Sequence, residues 1–164
     1  MAEPQYTFFW RPHEKHGVFG QWSDHPFTVD GNRFYTAENY MMYQKAMLFN
    51  DAKTAAKILA SNDPRKVKGL GRAVANFDEL AWEQHRLQIV IDGNMAKFQQ
   101  NEDAKRALLS TGDRILVEAS PLDRIWGIGF KKEDAMQHVE HWGLNLLGQA
   151  LMETRSRLRQ QVRD

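Results

Sequence analysis

Glu38 and Lys45 are the first residues whose types and spacing could do chemistry. On a helical period, Glu38, Met41, Met42, Lys45, Leu48 and Phe49 share one face of a helix over 37–49. The other four members of that face are apolar. A carboxylate and an ammonium therefore sit two turns apart on a stripe that should be buried. Charges on such a stripe are costly unless they are paired or used. Two readings follow. Both side chains can lie at the stripe's edge and reach water along their aliphatic stems. Alternatively, Glu38 is an acid/base group near a lysine whose pKa desolvation lowers, and such an amine can attack an aldehyde.

A second place is Ser120-Pro-Leu-Asp-Arg-Ile-Trp-Gly-Ile-Gly129, which follows a strand pattern. Gly127 and Gly129 permit close backbone approach to a ligand, Trp126 offers a stacking face, and Asp123 offers a carboxylate. A plain glycine turn over a core tryptophan explains the same residues. A third place is Asp63 to Arg72, where Arg65, Lys66, Lys68 and Arg72 cluster beside glycines including Gly71. That set could hold a phosphate or pyrophosphate, or it could be a solvated helix face. It lacks the Gly-Lys-Ser/Thr ending of a P-loop. His13 with His16, and His138 with His141, are spaced by three but have no His-Glu-x-x-His pattern and no cysteine. No metal site and no cofactor are expected. Arg155, Arg157, Arg159 and Arg163 suit a helix C-terminus.

The elements that must position these residues read as follows. Tyr6 to Trp10 suits a strand, Arg11 to Gly20 a loop, and Phe27–Asp30 with Arg33–Tyr35 a hairpin turning at Gly31-Asn32. Thr36 can cap the helix 37–49, with Asn39 in place of the preferred third-position Glu or Gln. Helices are predicted over Asp51–Ala60, from Pro64, over Asp78–Gln99, over Asp103–Ser110 and from about Trp142 to Leu158. Arg114–Ala119 reads as a strand. The whole is an α+β fold, mainly helical with a few short strands, in a single domain over 1–164 with its core at about 6–158. It shows no alternating βαβ series.

Composition narrows the function classes. With 164 residues, one domain can bury roughly 70% of its unfolded surface. Lys and Arg number 22 against 21 Asp and Glu, a net charge of +1, so no global basic field exists for nucleic acid. Zero cysteines remove disulfides, Cys-ligated zinc and Cys nucleophiles, and fit an intracellular, cytoplasmic protein. No apolar run approaches a membrane span, and the N-terminus does not read as a signal peptide. No membrane and no obligate protein partner are expected.

Taken in order, several segments resemble the NADAR family, which includes bacterial N-glycosidases. They are Thr36-Ala-Glu-Asn-Tyr-Met-Met-Tyr-Gln-Lys-Ala46, Asp63-Pro-Arg with Leu70-Gly-Arg72, Asn94-Met-Ala-Lys-Phe98, Leu116-Val-Glu-Ala-Ser-Pro121, Asp123-Arg-Ile-Trp-Gly-Ile-Gly129, and Gly143-Leu-Asn-Leu-Leu-Gly148 with Leu151-Met152 and Arg155. The resemblance spans about Tyr6 to Leu158. It implies a compact, mostly helical fold and hydrolysis of a bond between a base and ribose C1. Two substrate classes are implied: ADP-ribose on guanine bases of nucleic acid, and phosphoribosyl intermediates of riboflavin synthesis. A non-catalytic module binding ADP-ribose or nucleic acid is the reading from another class. The family motifs carry catalytic roles onto Glu38, Lys45 and Asp123. They carry binding roles onto Asn39, Arg65, Lys68, Gly71, Arg72, Trp126, Gly127, Gly129 and Asn145. The family usually has His where Asn39 stands, and its early Phe-Ser-Asn-aromatic motif reads Phe19-Gly-Gln-Trp22 here. Phe19, Trp22 and Trp126 are the expected aromatic partners of the base, in ligand-accessible loops.

Overall fold

The structure, a computed structural model, describes residues 5–163, with side chains through Val162. The leader reading at Met1–Pro4 and the Arg163 side chain lie outside the described residues. In chain order the elements are β1 (Tyr6–Phe9), β2 (Phe27–Val29), β3 (Asn32–Phe34), α1 (Ala37–Leu48), α2 (Ala52–Leu59), α3 (Pro64–Arg72), α4 (Glu79–Gln100), α5 (Glu102–Ser110), β4 (Ile115–Glu118), α6 (Lys132–Ala135) and α7 (Leu146–Arg163). Short 3-10 turns occupy Gly17–Phe19 and Val139–His141. The fold is mostly helical with a few short strands, as the sequence reading expects. Two compact units divide the chain: residues 21–101, and the two flanking segments together.

In the unit 21–101, β2 and β3 form an antiparallel hairpin with Phe27 opposite Phe34 and Val29 opposite Asn32. The turn is Asp30-Gly31, not Gly31-Asn32. Both residues have positive φ, 52° and 81°, which Asp-Gly supports in a hairpin turn matching the strand twist. Phe27, Phe34 and Tyr40 pack together in the core, with Tyr43, Leu59 and Ile89 against them. Burying each such ring contributes about 1.5–3 kcal/mol. Burial also pushes the Tyr40 phenol up to about 12. The long α4 lies close on α1 at Gly93, where an added Cβ would come within 2.6 Å of the Tyr40 ring. Gly71 does the same for α3, where a Cβ would meet the Met42 sulfur. Both glycines let helices approach α1 closely.

Thr36 caps α1, its Oγ1 accepting from Asn39 N at 3.1 Å. Asn39 completes the cap in its own way: Oδ1 accepts from Tyr35 N at 3.0 Å, and Nδ2 donates to Ile58 O at 2.9 Å, tying the end of α2 to the start of α1.

In the other unit, β1 and β4 pair in parallel, Tyr6 opposite Ile115 through Phe9 opposite Glu118. Val117, Ala119, Ile128 and Ala135 form the core beneath Tyr6, Phe8, Phe130 and Trp142. The last helix starts at Leu146, later than the expected Trp142. Gly143 and Leu144 instead donate to Ile128 O and Arg124 O, and Asn145 takes φ 52°. Arg155 is buried and donates to Thr111 Oγ1 at 2.8 Å and Arg114 O at 2.9 Å. Arg159 pairs with Asp113 at 3.0 Å. These two arginines staple α7 to the turn before β4, a more specific job than charge at a helix end. Among the described residues, no helix is long and apolar enough to cross a membrane.

Candidate active site

The apolar stripe of α1 is real. Glu38, Met41, Met42 and Phe49 are buried, while Lys45 and Leu48 are partly buried. Glu38 is only 7% exposed, in the first turn, where the helix dipole favours an anion. Its Oε2 accepts the indole Nε1–H of Trp22. The main chain repeats the attachment: Glu38 N donates to Gln21 O at 3.1 Å. Gln21 also reaches Met41 Sδ through Nε2 at 3.9 Å. The segment 21–23 therefore lies against the start of α1 and fixes the carboxylate. Two polar atoms of this segment, Gln21 Oε1 and Ser23 Oγ, are buried without a hydrogen-bond partner among the described residues.

Lys45 does not run out to water. Its Nζ lies 4.6 Å from the Phe77 ring centre and 5.5 Å from that of Trp82. Burial lowers its pKa from the ordinary lysine value, and the Glu79 carboxylate opposes that shift. Seven residues separate Lys45 from Glu38, a rise of about 10 Å along the helix. The long side chains of the two can converge on one small molecule lying along the stripe. A desolvated amine and a buried carboxylate on one face can perform nucleophilic and proton-transfer chemistry.

Other expected site residues divide by what they touch. Trp22 is half-buried and in contact with Glu38. Phe19 is not accessible: it is 1% exposed and packs edge-on against Phe9, because the Gly17–Phe19 turn folds it inward. Asn39 is 1% exposed and spends both ends of its amide on the protein's own backbone. A direct substrate contact from either is therefore set aside. Arg65, Lys68 and Arg72 lie at helical spacing along an exposed stripe of α3. The N-terminus of that helix is taken by Asp63, whose Oδ1 accepts from Arg65 N at 3.0 Å. Any anion would be held by the side chains and not by the helix end. Gly71 faces Met42 and serves packing.

In the flanking unit, Asp123 Oδ1 accepts from Ile125 N and Trp126 N, both at 2.9 Å. This fastens the turn and leaves Oδ2 without a hydrogen-bond partner among the described residues. Trp126 is half-buried. Gly127 permits contact with β4, since a Cβ would come within 2.8 Å of Glu118 O. Gly129 has φ 81° and turns the chain. Asn145 clamps β4 through Oδ1 to Glu118 N and Nδ2 to Leu116 O, both at 3.0 Å. The close approaches made by Gly127 and Asn145 are thus to protein, not to a ligand. Backbone donors from Gly143 to Leu147 bind the carbonyls of residues 124–128, so this loop is rigidly held.

Phe77 and Trp82 escaped the sequence reading. Their only signal was aromatic side chains at the entry to a long helix. Asn94 and Lys97, quoted there only for their family motif, are both completely buried in α4, three residues apart. Asn94 Nδ2 donates to Val90 O at 2.9 Å, and the Lys97 ammonium lies 4.9 Å from the Phe98 ring centre. Among the described residues, no cluster of His, Cys, Asp and Glu could hold a metal ion.

The NADAR domain model matches residues 8–159. An N-glycosidase designated R617, from Acanthamoeba polyphaga mimivirus, is 41% identical over 94% of this chain and 97% of its own length. A riboflavin biosynthesis protein from Vibrio vulnificus, VVA0006, is 30% identical over 98% of this chain, which spans only 40% of that relative. The NMR structure of the E. coli protein YbiA superposes with a TM-score of 0.83 at 27% identity, covering all of this chain and 90% of that one. The relatives' names support N-glycosidase activity for a chain of this kind.

Proposed function

This chain belongs to the NADAR family, and from that premise we propose that it removes ADP-ribose from ADP-ribosylated guanine in nucleic acid by hydrolysing the base–ribose C1 bond. The observation that carries the reading is Lys45, an amine desolvated against aromatic rings on the same helix face as the buried carboxylate of Glu38. Desolvation raises the share of neutral amine, the form that attacks carbon. No cofactor enters.

In the proposed sequence Glu38 enters as the protonated acid: the Lys45 lone pair forms a bond to C1 while the C1–N pair departs with the base, which takes the Glu38 proton and leaves a carboxylate. Opening of the sugar ring moves one Nζ proton to the ring oxygen and leaves a protonated imine at C1. Water adds to C1 and gives a proton to the Glu38 carboxylate. The carbinolamine then collapses: its hydroxyl proton returns to Nζ, the amine leaves, and C1 becomes a free aldehyde that recloses. Breaking the first bond develops positive charge at C1, which a nearby carboxylate stabilises. Asp123 is assigned as the second carboxylate on its motif alone. The cations Arg65, Lys68 and Arg72 suit a pyrophosphate, and Trp22 and Trp126 suit an aromatic base.

Hydrolysis of phosphoribosyl intermediates of riboflavin synthesis is the second reading, favoured by the name of the Vibrio vulnificus relative. Incubation with an ADP-ribosylated guanine oligonucleotide and, separately, with those intermediates distinguishes the two by mass spectrometry. The proposal expects free ADP-ribose and unmodified guanine from the first. Product from the intermediates alone transfers the function to the second reading. Ligand binding with no product from either substrate leaves a binding module.

A further inference from the structure

We propose that Phe77 and Trp82 form an aromatic wall that stabilises the positive charge at Lys45 and at the sugar carbon it engages, so that Phe77 sets the rate of covalent capture. The inference rests on the reading of Lys45 as the nucleophile.

Nζ lies within cation–π range of both rings, at 4.6 and 5.5 Å. No carboxylate lies within 4 Å of it among the described residues, and Glu79 acts on it only through space. That choice of neighbours has a chemical consequence. A carboxylate in direct contact would hold Lys45 as an ammonium and suppress attack. A ring face attracts a cation more weakly, so the amine can lose its proton. When the Nζ–C1 bond forms, charge returns to the same nitrogen and meets the same two faces.

The wall is positioned from behind. Phe49 meets Phe77 edge-on, with centroids 5.3 Å apart and planes at 75°. The turn carrying Phe77 is pinned twice: Ala75 N donates to Asp51 Oδ2 at 2.9 Å, and Asn76 Nδ2 reaches Phe49 O at 3.5 Å. Asn76 takes φ 61°, which swings the next residue back over α1. Phe77 stays 42% exposed, so a sugar can reach the charge it faces.

The test replaces Phe77 with mono-, di- and trifluorophenylalanine, which keep the ring's shape and drain its negative face. A rate and a pH are read on the peptide containing Lys45. One is borohydride trapping of the adduct with ADP-ribose. The other is the pH at which formaldehyde and cyanoborohydride methylate Lys45. Read at a pH high enough that Lys45 is already neutral in every variant, trapping should slow stepwise, by roughly 2- to 5-fold across the series, the span of one partly exposed cation–π contact. Methylation should begin at progressively lower pH, because the ammonium loses support. Phe77→Leu, which removes the ring face altogether, should behave as the trifluoro variant. A flat trapping series overturns the proposal whatever the methylation series does. If the parent protein neither traps ADP-ribose nor releases any base, the glycosidase reading fails. The methylation series alone then decides whether the wall supports a cation at Lys45, and a flat series there overturns it.

Discussion

Removing the indole donor from Glu38 tests whether the segment 21–23 holds the carboxylate for work or merely lies beside it. Trp22→Phe keeps an aromatic ring and deletes Nε1–H, the donor to Glu38 Oε2. A hydrogen bond to a charged group contributes about 1.5–3 kcal/mol, and loss of a donor from a group as buried as Glu38 falls in that range. Glu38→Leu removes the acceptor instead. If the pair acts as a unit, the double variant should be more stable than the sum of the two losses predicts, by about 1.5–3 kcal/mol. Urea unfolding of the four proteins measures this, provided the slopes agree. The kinetic arm uses Trp22→Phe alone. Loss of this donor should lower kcat by about 10- to 100-fold with KM little changed if the indole positions the carboxylate, since a small misplacement carries that cost. A coupling energy within about 0.5 kcal/mol of zero, with kcat unaltered, refutes the argument.

Glu38→Gln should abolish turnover in a folded protein, because the amide still accepts from Trp22 but cannot exchange a proton; normal turnover removes Glu38 from the mechanism. Lys45→Met tests the desolvated amine through stability. Its folded pKa lies below its unfolded one, so the unfolded chain holds more protons between the two and wild-type stability rises with pH there. The variant should therefore be more stable than wild type at neutral pH, with the gap closing as pH rises toward the ordinary lysine value; a gap independent of pH contradicts the shift. Gly93→Ala should destabilise by about 1–3 kcal/mol despite better helix propensity, because its Cβ has only the rigid Tyr40 ring to displace. Gly71→Ala should cost less, since the Met42 thioether can swing away, and an equal loss at both sites in thermal unfolding goes against this account.

Legibility in the sequence followed the range of the forces involved. The α1 stripe was readable because a 3.6-residue period decides which side chains share a face. The cap at Thr36 was readable because it acts across three residues. The parallel β1–β4 pair was not, because nothing local in Tyr6 to Phe9 names Ile115 as a partner. The start of α7 was missed for a related reason. The N–H groups of residues 143–145 are claimed by carbonyls of a loop 15 to 20 positions earlier, which no local pattern announces. At the site, Glu38 and Lys45 were visible as charges on an apolar stripe. Phe77 and Trp82 were not, because an aromatic residue reads as core until a cation is found beside it. Phe19, Asn39 and Asn145 show contacts that a motif does not reveal. Each was assigned a ligand by its motif, and each is occupied by the protein itself.

The pairing of β1 with β4 imposes an order of events on the growing chain. Closing a loop from Tyr6 to Ile115 costs more entropy than any contact made within the intervening segment. Phe8 and Phe9 must wait for a partner strand, and for α7 behind it, until residues well beyond 115 have been made. The hairpin and the first helices, which rely on near neighbours, have no such wait. The lysine and carboxylate of α1 are thus assembled while the Asp123 loop is still unmade. A ribosome stalled before β4 would display a formed amine site and an unsatisfied aromatic strand, the kind of exposed edge that chaperones bind.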